Sequence, residues 1–225
     1  RAIIIFDGAM SQARLFVNGQ EVGFWPYGYN AFHFDITDYV KSGDNELAVR
    51  LENETDSSRW YPGAGIYRNV RLIVVDDVHI PVWGTQLTTP IVKESIARIE
   101  LRTKVVRPEE VSAESLRIVT EIKDSEGNVV ARAEDGISRY DSDYFEQVFD
   151  VENPKLWSVD SPTLYTAESK LYAGEQLKDE YTTRFGIRTI EIIPEEGMFI
   201  NGVMTKFRGV CNHHDLGPLG AAVND

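Results

Sequence analysis

Apolar and polar residues alternate with period two along most of the chain, while the 3.6-residue period of an amphipathic helix is nearly missing. Side chains alternate between two faces only along an extended strand, so this pattern restricts the chain to sheets that bury one face and wet the other. Ala97, Ile99, Leu101, Thr103 and Val105 fall on one face, and Leu116, Ile118, Thr120 and Ile122 on another. Turn signals separate the runs. Asn18-Gly19 lies between Phe16-Val17 and Val22, and Asn201-Gly202 follows Phe199-Ile200; an Asn-Gly pair flanked by apolar residues is the strongest short-range hairpin signal. Asp124 to Asn128 forms another turn before Val129-Val130-Ala131. The expected fold class is all-β.

At roughly 100–200 residues per domain, 225 residues allow one large domain or two small ones. Residues 31–36 read as a strand with Phe32, Phe34 and Ile36 on one face, followed by one capped turn over Thr37-Asp38-Tyr39-Val40-Lys41 that stops near Gly43. Leu47, Val49 and Leu51 alternate with polar or small neighbours, and the β-branched run from Val70 to Val75 predicts a central sandwich strand. Asp76-Asp77 and Pro81 then mark a break. Beyond it, about seven strands with regular turn spacing predict an immunoglobulin-like sandwich over residues 77–189. After Thr189 the texture changes again: Lys206 to Val210 reads as a short strand, and Pro218 suits the first position of a helix. A strand leading into a helix is how a β/α barrel begins, and the residues left cannot close one, since a complete barrel takes about 250.

Composition narrows the function classes. With 42% hydrophobic and 11% aromatic residues the chain can fill a core, which excludes disordered and collagen-like classes. The net charge of −13 gives no uniformly basic footprint, so no nucleic-acid partner is expected. Cys211 is the single cysteine; it has no partner for an intramolecular disulfide, and no thiol cluster exists for structural zinc. No run approaches the ~18 apolar residues of a membrane span, and Arg1 to Asp7 lack the pattern of a signal peptide, so no membrane partner is expected.

Seven segments, in order, carry a family likeness. They are Leu15-Phe16-Val17-Asn18-Gly19-Gln20-Glu21-Val22-Gly23, Phe34-Asp35-Ile36-Thr37 and Arg59-Trp60-Tyr61-Pro62-Gly63-Ala64-Gly65-Ile66-Tyr67-Arg68-Asn69-Val70. Next come Asn153-Pro154-Lys155-Leu156-Trp157-Ser158 with Ser161-Pro162-Thr163-Leu164-Tyr165, and Arg184-Phe185-Gly186-Ile187-Arg188. Phe199-Ile200-Asn201-Gly202 and Arg208-Gly209-Val210-Cys211-Asn212-His213-His214-Asp215 complete the set. On these residues the chain resembles glycoside hydrolase family 2, the family of β-galactosidases, β-glucuronidases and β-mannosidases. The resemblance implies a jelly-roll sugar-binding-like domain over residues 1–76 that lacks its first strands, an immunoglobulin-like sandwich over 77–189, and the truncated start of a TIM-barrel catalytic domain over 190–225. The family's two catalytic carboxylates lie on later barrel strands, so no catalytic residue is expected in this chain. It reads as an inactive, accessory fragment of a retaining hydrolase of terminal β-D-glycosides. The stretch from His213 to Gly220 is closer to the β-galactosidase branch; β-glucuronides and β-mannosides are the alternative substrates. The partners implied are carbohydrate and the polypeptide's own barrel domain. A standalone carbohydrate-binding or adhesive module built from two sandwiches is the rival reading.

The candidate residues carry competing readings. Retaining hydrolysis needs two carboxyl groups about 5–5.5 Å apart, but neighbours in an extended chain point to opposite faces, so Asp76-Asp77, Glu109-Glu110 and Glu195-Glu196 read as solvated loop charges. In His213-His214-Asp215 only His213 and Asp215 share a side, with no further ligand pair near in sequence, so no metal site or cofactor is expected. The resemblance instead makes His213 and Asp215 substrate-binding residues in the intact parent, at the C-terminal end of the first barrel strand; plain surface-loop residues are the alternative. It also puts Arg59 and Trp60 on the substrate side. Trp60, Tyr61 and Tyr67 form one candidate stacking set, and Trp25, Tyr27 and Tyr29 another, against the alternative of core or loop anchors. Pro62-Gly63-Ala64-Gly65 reads as a tight turn, Trp157 as a packing residue, and Cys211 as a small buried hydrophobe.

Overall fold

The computed structural model describes residues 1–56, 63–138 and 143–211, and contacts group the molecule around two compact units, Arg1–Val75 and Asp76–Arg208. No helix among the described residues is long and apolar enough to cross a membrane.

The first unit contains β1 (Ala2–Phe6), β2 (Ala9–Met10), β3 (Ala13–Val17), β4 (Gln20–Trp25), β5 (Phe32–Asp35), β6 (Leu47–Arg50), β7 (Gly65–Ile66) and β8 (Val70–Val74). They pair antiparallel in sheets of order β5-β1-β8, β4-β3-β6 and β2-β7. The Asn18-Gly19 turn joins β3 to β4 with φ of 51° and 80°, the left-handed pair that a two-residue hairpin requires. Asn18 also fixes its surroundings: Nδ2 donates to the Tyr39 carbonyl at 2.9 Å and Oδ1 accepts from the Glu46 amide at 3.1 Å. The turn expected over 37–41 is a 3-10 helix, Thr37–Tyr39, with Ile36 at its N-cap and no side-chain cap bond; its first amide donates to Asp35 Oδ1 at 2.9 Å. Ile4 and Phe6 from one large sheet meet Ala13, Leu15 and Val17 from the other, with Phe32 and Ile36 completing the core. Each such large side chain removed from water contributes about 1.5–3 kcal/mol. Two sheets over one core give the partial jelly-roll sandwich.

One strand departs from expectation. Val70 to Val75 reads as central, yet β8 ends its sheet and is exposed at every residue. The central strand is β1, where Ile3, Ile4, Ile5 and Phe6 are all buried. A continuous apolar run identifies a strand but not its neighbours, and among the described residues β8 pairs only with β1.

The second unit contains β9 (Thr85–Val92), β10 (Ile96–Lys104), β11 (Leu116–Lys123), β12 (Val129–Gly136), β13 (Tyr144–Glu152), β14 (Tyr165–Ala173) and β15 (Gln176–Phe185). Sheets of order β13-β10-β9 and β12-β11-β14-β15 form an immunoglobulin-like sandwich. In the constant-type order the fourth strand joins the first, second and fifth; here β12 pairs with β11 instead. Ala97, Ile99, Leu101 and Thr103 of β10 are buried, as are Leu116, Ile118, Thr120 and Ile122 of β11. They are the inward faces that the alternation marks. A polar bridge crosses this core: the Thr120 hydroxyl donates to Gln147 Oε1 at 2.6 Å and lies 2.8 Å from the Ser169 hydroxyl. Gln147 Nε2 donates onward to Asp135 Oδ2 at 3.1 Å.

A small antiparallel sheet of β16 (Ile190–Ile193), β17 (Gly197–Ile200) and β18 (Val203–Met204) follows. Its Asn201-Gly202 turn has φ of 51° and 75°. Asn201 ties the turn to the sandwich, with Oδ1 accepting from the Thr189 amide and Nδ2 donating to the Trp157 carbonyl, both at 2.9 Å. Trp157 itself lies 4.3 Å beneath the Arg188 guanidinium, which makes it the packing residue expected. Lys206 to Val210, read as a strand, is neither strand nor helix. A strand exists through a hydrogen-bonded neighbour, and this segment has none among the described residues.

Candidate functional site

Arg59, Trp60 and Tyr61, and likewise His213, His214 and Asp215, lie outside the described residues. Arg208 and Gly209 are exposed in the irregular segment after β18. Cys211, expected as a buried hydrophobe, is exposed, at the end of a segment whose residues are exposed from Lys206 onward. Glu109, Glu110, Glu195 and Glu196 are exposed as solvated charges. Asp76 is engaged locally: Oδ1 accepts from the Val78 amide at 3.0 Å and Oδ2 from Lys178 at 3.2 Å. Its carboxyl is held below the usual range by the Val78 amide foremost, against a smaller opposing effect of burial, with Lys178 assisting. No group of three or more His, Cys, Asp or Glu suited to a metal ion occurs among the described residues.

One described constellation with binding chemistry is an aromatic corner of the first unit. Strand β7 leaves the Gly63-Ala64-Gly65 turn, where both glycines have positive φ, and pairs with β2 through Ala9↔Ile66 and Met10↔Gly65. This non-local pairing brings Tyr67 over Gly8, where an added Cβ would lie 2.7 Å from the ring. Only glycine leaves room for that approach. The Tyr67 hydroxyl then donates to the Gly28 carbonyl at 2.8 Å, which anchors it between Tyr27 and Tyr29. Those two rings pack edge to face, centroids 5.5 Å apart and planes at 63°, and Tyr27 is half exposed. Arg68 sits 5.1 Å from the centre of the Tyr67 ring.

Burial chiefly pushes the Tyr67 phenol above its ordinary value, with Arg68 opposing and the two neighbouring tyrosines adding to the rise. Tyr67 therefore presents a neutral hydroxyl across the physiological range. The corner offers ring faces for apolar C–H surfaces and phenol groups for hydroxyls, a combination that suits a sugar. It merges members of the two aromatic sets that the sequence kept apart. Trp25 is not among them: it stacks on Phe32 at 5.7 Å, and Phe32 on Phe6 at 5.0 Å, inside the core. The available sequence signal was Gly8, a glycine facing a β7 that its local pattern does not reveal.

Known proteins agree with this organisation. A family model described as glycosyl hydrolases family 2, sugar binding domain, matches residues 1–76, and one described as glycosyl hydrolases family 2 matches residues 78–188. The chain is 42% identical to beta-galactosidase BoGH2A of Bacteroides ovatus, over 98% of this chain and 26% of that protein. It is 34% identical to a putative beta-glucuronidase of Formosa agariphila, over 97% of this chain and 21% of that protein. Among solved structures, a glycosyl hydrolase family 2 member from Bacteroides cellulosilyticus superposes with a TM-score of 0.90 at 36% identity, over 99% of this chain and 29% of that one. A Bacteroides uniformis beta-glucuronidase gives 0.82 at 28%, over all of this chain and 28% of that one. The chain thus spans about a quarter of the length of the curated relatives it matches. With consecutive matches running through both compact units, this chain belongs to glycosyl hydrolases family 2 and corresponds to that family's N-terminal region.

Proposed function

We propose that this chain is the accessory region of a retaining hydrolase of terminal β-D-glycosides, with β-galactosides as the preferred substrate, and that alone it is inactive. The observation carrying this reading is the 42% identity to a named beta-galactosidase across 98% of the chain. Relatives named as beta-glucuronidases keep β-glucuronides as the alternative. In the proposed layout residues 1–76 are the sugar-binding-like domain, 77–189 the immunoglobulin-like domain and 190–225 the beginning of a catalytic barrel. His213, Asp215, Arg59 and Trp60 touch the substrate in the intact parent, and the two catalytic carboxylates come from the barrel beyond.

The test compares the 225-residue chain with a parent reading frame carrying a complete barrel, on nitrophenyl β-galactoside, β-glucuronide and β-mannoside. The parent is expected to turn over the galactoside fastest with retention, and the short chain none of the three. Turnover by the short chain, or none by the parent, overturns the reading. In the parent, Asp215→Asn removes a charge-assisted hydrogen bond, so kcat/KM should fall roughly ten- to a hundred-fold. In the proposed site His214 makes no contact with the substrate, so His214→Ala is the control, and an equal loss there refutes the site assignment.

The second reading is a standalone carbohydrate-binding module, favoured by the aromatic corner and by the irregular path of Lys206 to Val210. It requires sugar binding without hydrolysis in every length of the protein.

A further inference from the structure

On the outer face of the second unit, a cavity of about 600 Å³ opens between the β11–β12 turn and the loop before β14. Its lining includes Lys123, Ser161, Thr163, Thr166, Glu168 and Arg184. The register explains the convergence: Lys123 pairs with Thr166, and Thr166 with Arg184, so three neighbouring strands send these side chains to the same face.

Both walls are organised in advance. Asp124 closes its own turn, Oδ1 accepting from the Glu126 and Asn128 amides at 2.9 Å and Oδ2 from Asn128 Nδ2 at 3.1 Å. In the opposite loop the Ser161 amide donates to Ser158 Oγ at 3.0 Å, and the Thr163 amide to the Ser161 carbonyl at 2.8 Å. Lys155 spans the two walls through its 2.8 Å bond to Glu126. Within the cavity Lys123 is already held by Glu168 Oε2, leaving Glu168 Oε1 to accept. Arg184 is exposed and engages no carboxylate among the described residues.

We propose that this cavity binds a sugar acid, a uronate unit of an oligosaccharide, through its carboxylate on Arg184 and its hydroxyls on Glu168, Thr166 and the Ser161–Thr163 loop. A planar carboxylate matches the fork of a guanidinium. Two carboxylates line the cavity: Asp124 is closed in its own turn, while Glu168 calls for a ligand that also donates, which sugar hydroxyls do. Hydroxyl side chains along the wall can donate or accept, as a polyol requires. The cavity lies wholly within the second unit, so the proposal goes beyond the hydrolytic reading and does not depend on it.

The test uses the 225-residue chain itself, ¹⁵N-labelled and titrated at constant ionic strength with sodium glucuronate, methyl β-galactoside and inorganic phosphate. Glucuronate should shift the signals of residues 123–127, 161–168 and Arg184, and Arg184→Gln should weaken its binding roughly tenfold or more. Thr166→Val, which removes a hydroxyl at constant shape, should weaken it less. Amide spectra of both variants, unchanged elsewhere, establish that the fold is intact. Absence of shifts, shifts confined to other surfaces, equal binding of the neutral galactoside, or phosphate binding as tightly as glucuronate would each overturn the proposal. Tyr27→Ala, in the other unit, should leave glucuronate binding unchanged, and a matching loss there would relocate the site and also overturn it.

Discussion

Replacing Gln147 by Leu tests whether the polar bridge across the second sandwich holds its sheets in one arrangement. Gln147 is 2% exposed, accepts from the Thr120 hydroxyl at 2.6 Å and donates to Asp135 at 3.1 Å. Leucine has nearly the same volume, so little cavity term arises and the cost reduces to polar groups losing partners. Thr120 keeps Ser169 at 2.8 Å, and Asp135 is only half-buried, so water can replace the lost amide. One buried hydrogen bond is then lost, about 1–2 kcal/mol. Gln147→Ala adds a cavity and should cost about 3–4 kcal/mol. Adding Thr120→Val to Gln147→Leu strands the buried Ser169 hydroxyl, and adding Ser169→Ala removes that stranded group. The triple variant should therefore be more stable than the Gln147→Leu/Thr120→Val double. The assay is native-state hydrogen exchange at amides of β11 and β13, whose largest opening free energies report this unit separately from the other. If the triple equals the sum of the three single changes within about 0.5 kcal/mol, the side chains do not act as one network and the reasoning fails.

Three further outcomes follow from other parts of the molecule. Asn201→Ala should strip exchange protection from β16 and β17 while β9 to β15 keep theirs, since Asn201 links that turn to Thr189 and Trp157; simultaneous loss in both regions would show that the link carries no separate role. The depressed Asp76 carboxyl contributes stability that is present above the unfolded carboxylate range near pH 4 and lost as pH falls through the lower folded value. Asp76→Asn should therefore flatten part of the acid limb of a stability-versus-pH curve, and an unchanged limb refutes the assignment. Cys211, being exposed, should react fully with a thiol reagent in the native chain, whereas protection until denaturant is added would contradict that placement.

The inward faces of β10 and β11 and both Asn-Gly turns were legible because each depends on residues adjacent in sequence. Alternation fixes which side chains go in, and a left-handed residue pair fixes where the chain reverses. Features that depend on non-local pairing were not legible. Val70 to Val75 and Ile3 to Phe6 are apolar runs of the same kind, and only the order β5-β1-β8 decides which is central. The aromatic corner likewise needs β2 beside β7, residues 9–10 against 65–66, before Tyr67 can meet Tyr27 and Tyr29. Trp25 shows the converse: its neighbours in sequence suggested a shared surface, but the end of β4 turns it onto Phe32. Thr120, Gln147 and Ser169 gave no warning either, because polar residues on an inward face become a bridge only when opposing sheets bring them together.

The exposed strand β8 has a consequence for how the chain behaves among copies of itself. Val70, Leu72, Ile73 and Val74 are 37–74% exposed on a strand that, among the described residues, pairs on one side only, and an open strand edge is the template on which a stray strand polymerises. Arg71, ion-paired with Asp7 at 2.6 Å, is the one charged gatekeeper within this run. What otherwise keeps copies apart is mutual repulsion from the net charge of −13, a long-range force that salt shortens to about 3 Å at 1 M. Raising the salt should thus drive this chain from a dispersed solution toward strand-paired aggregates, and a second charge placed at Ile73 should restore the dispersion.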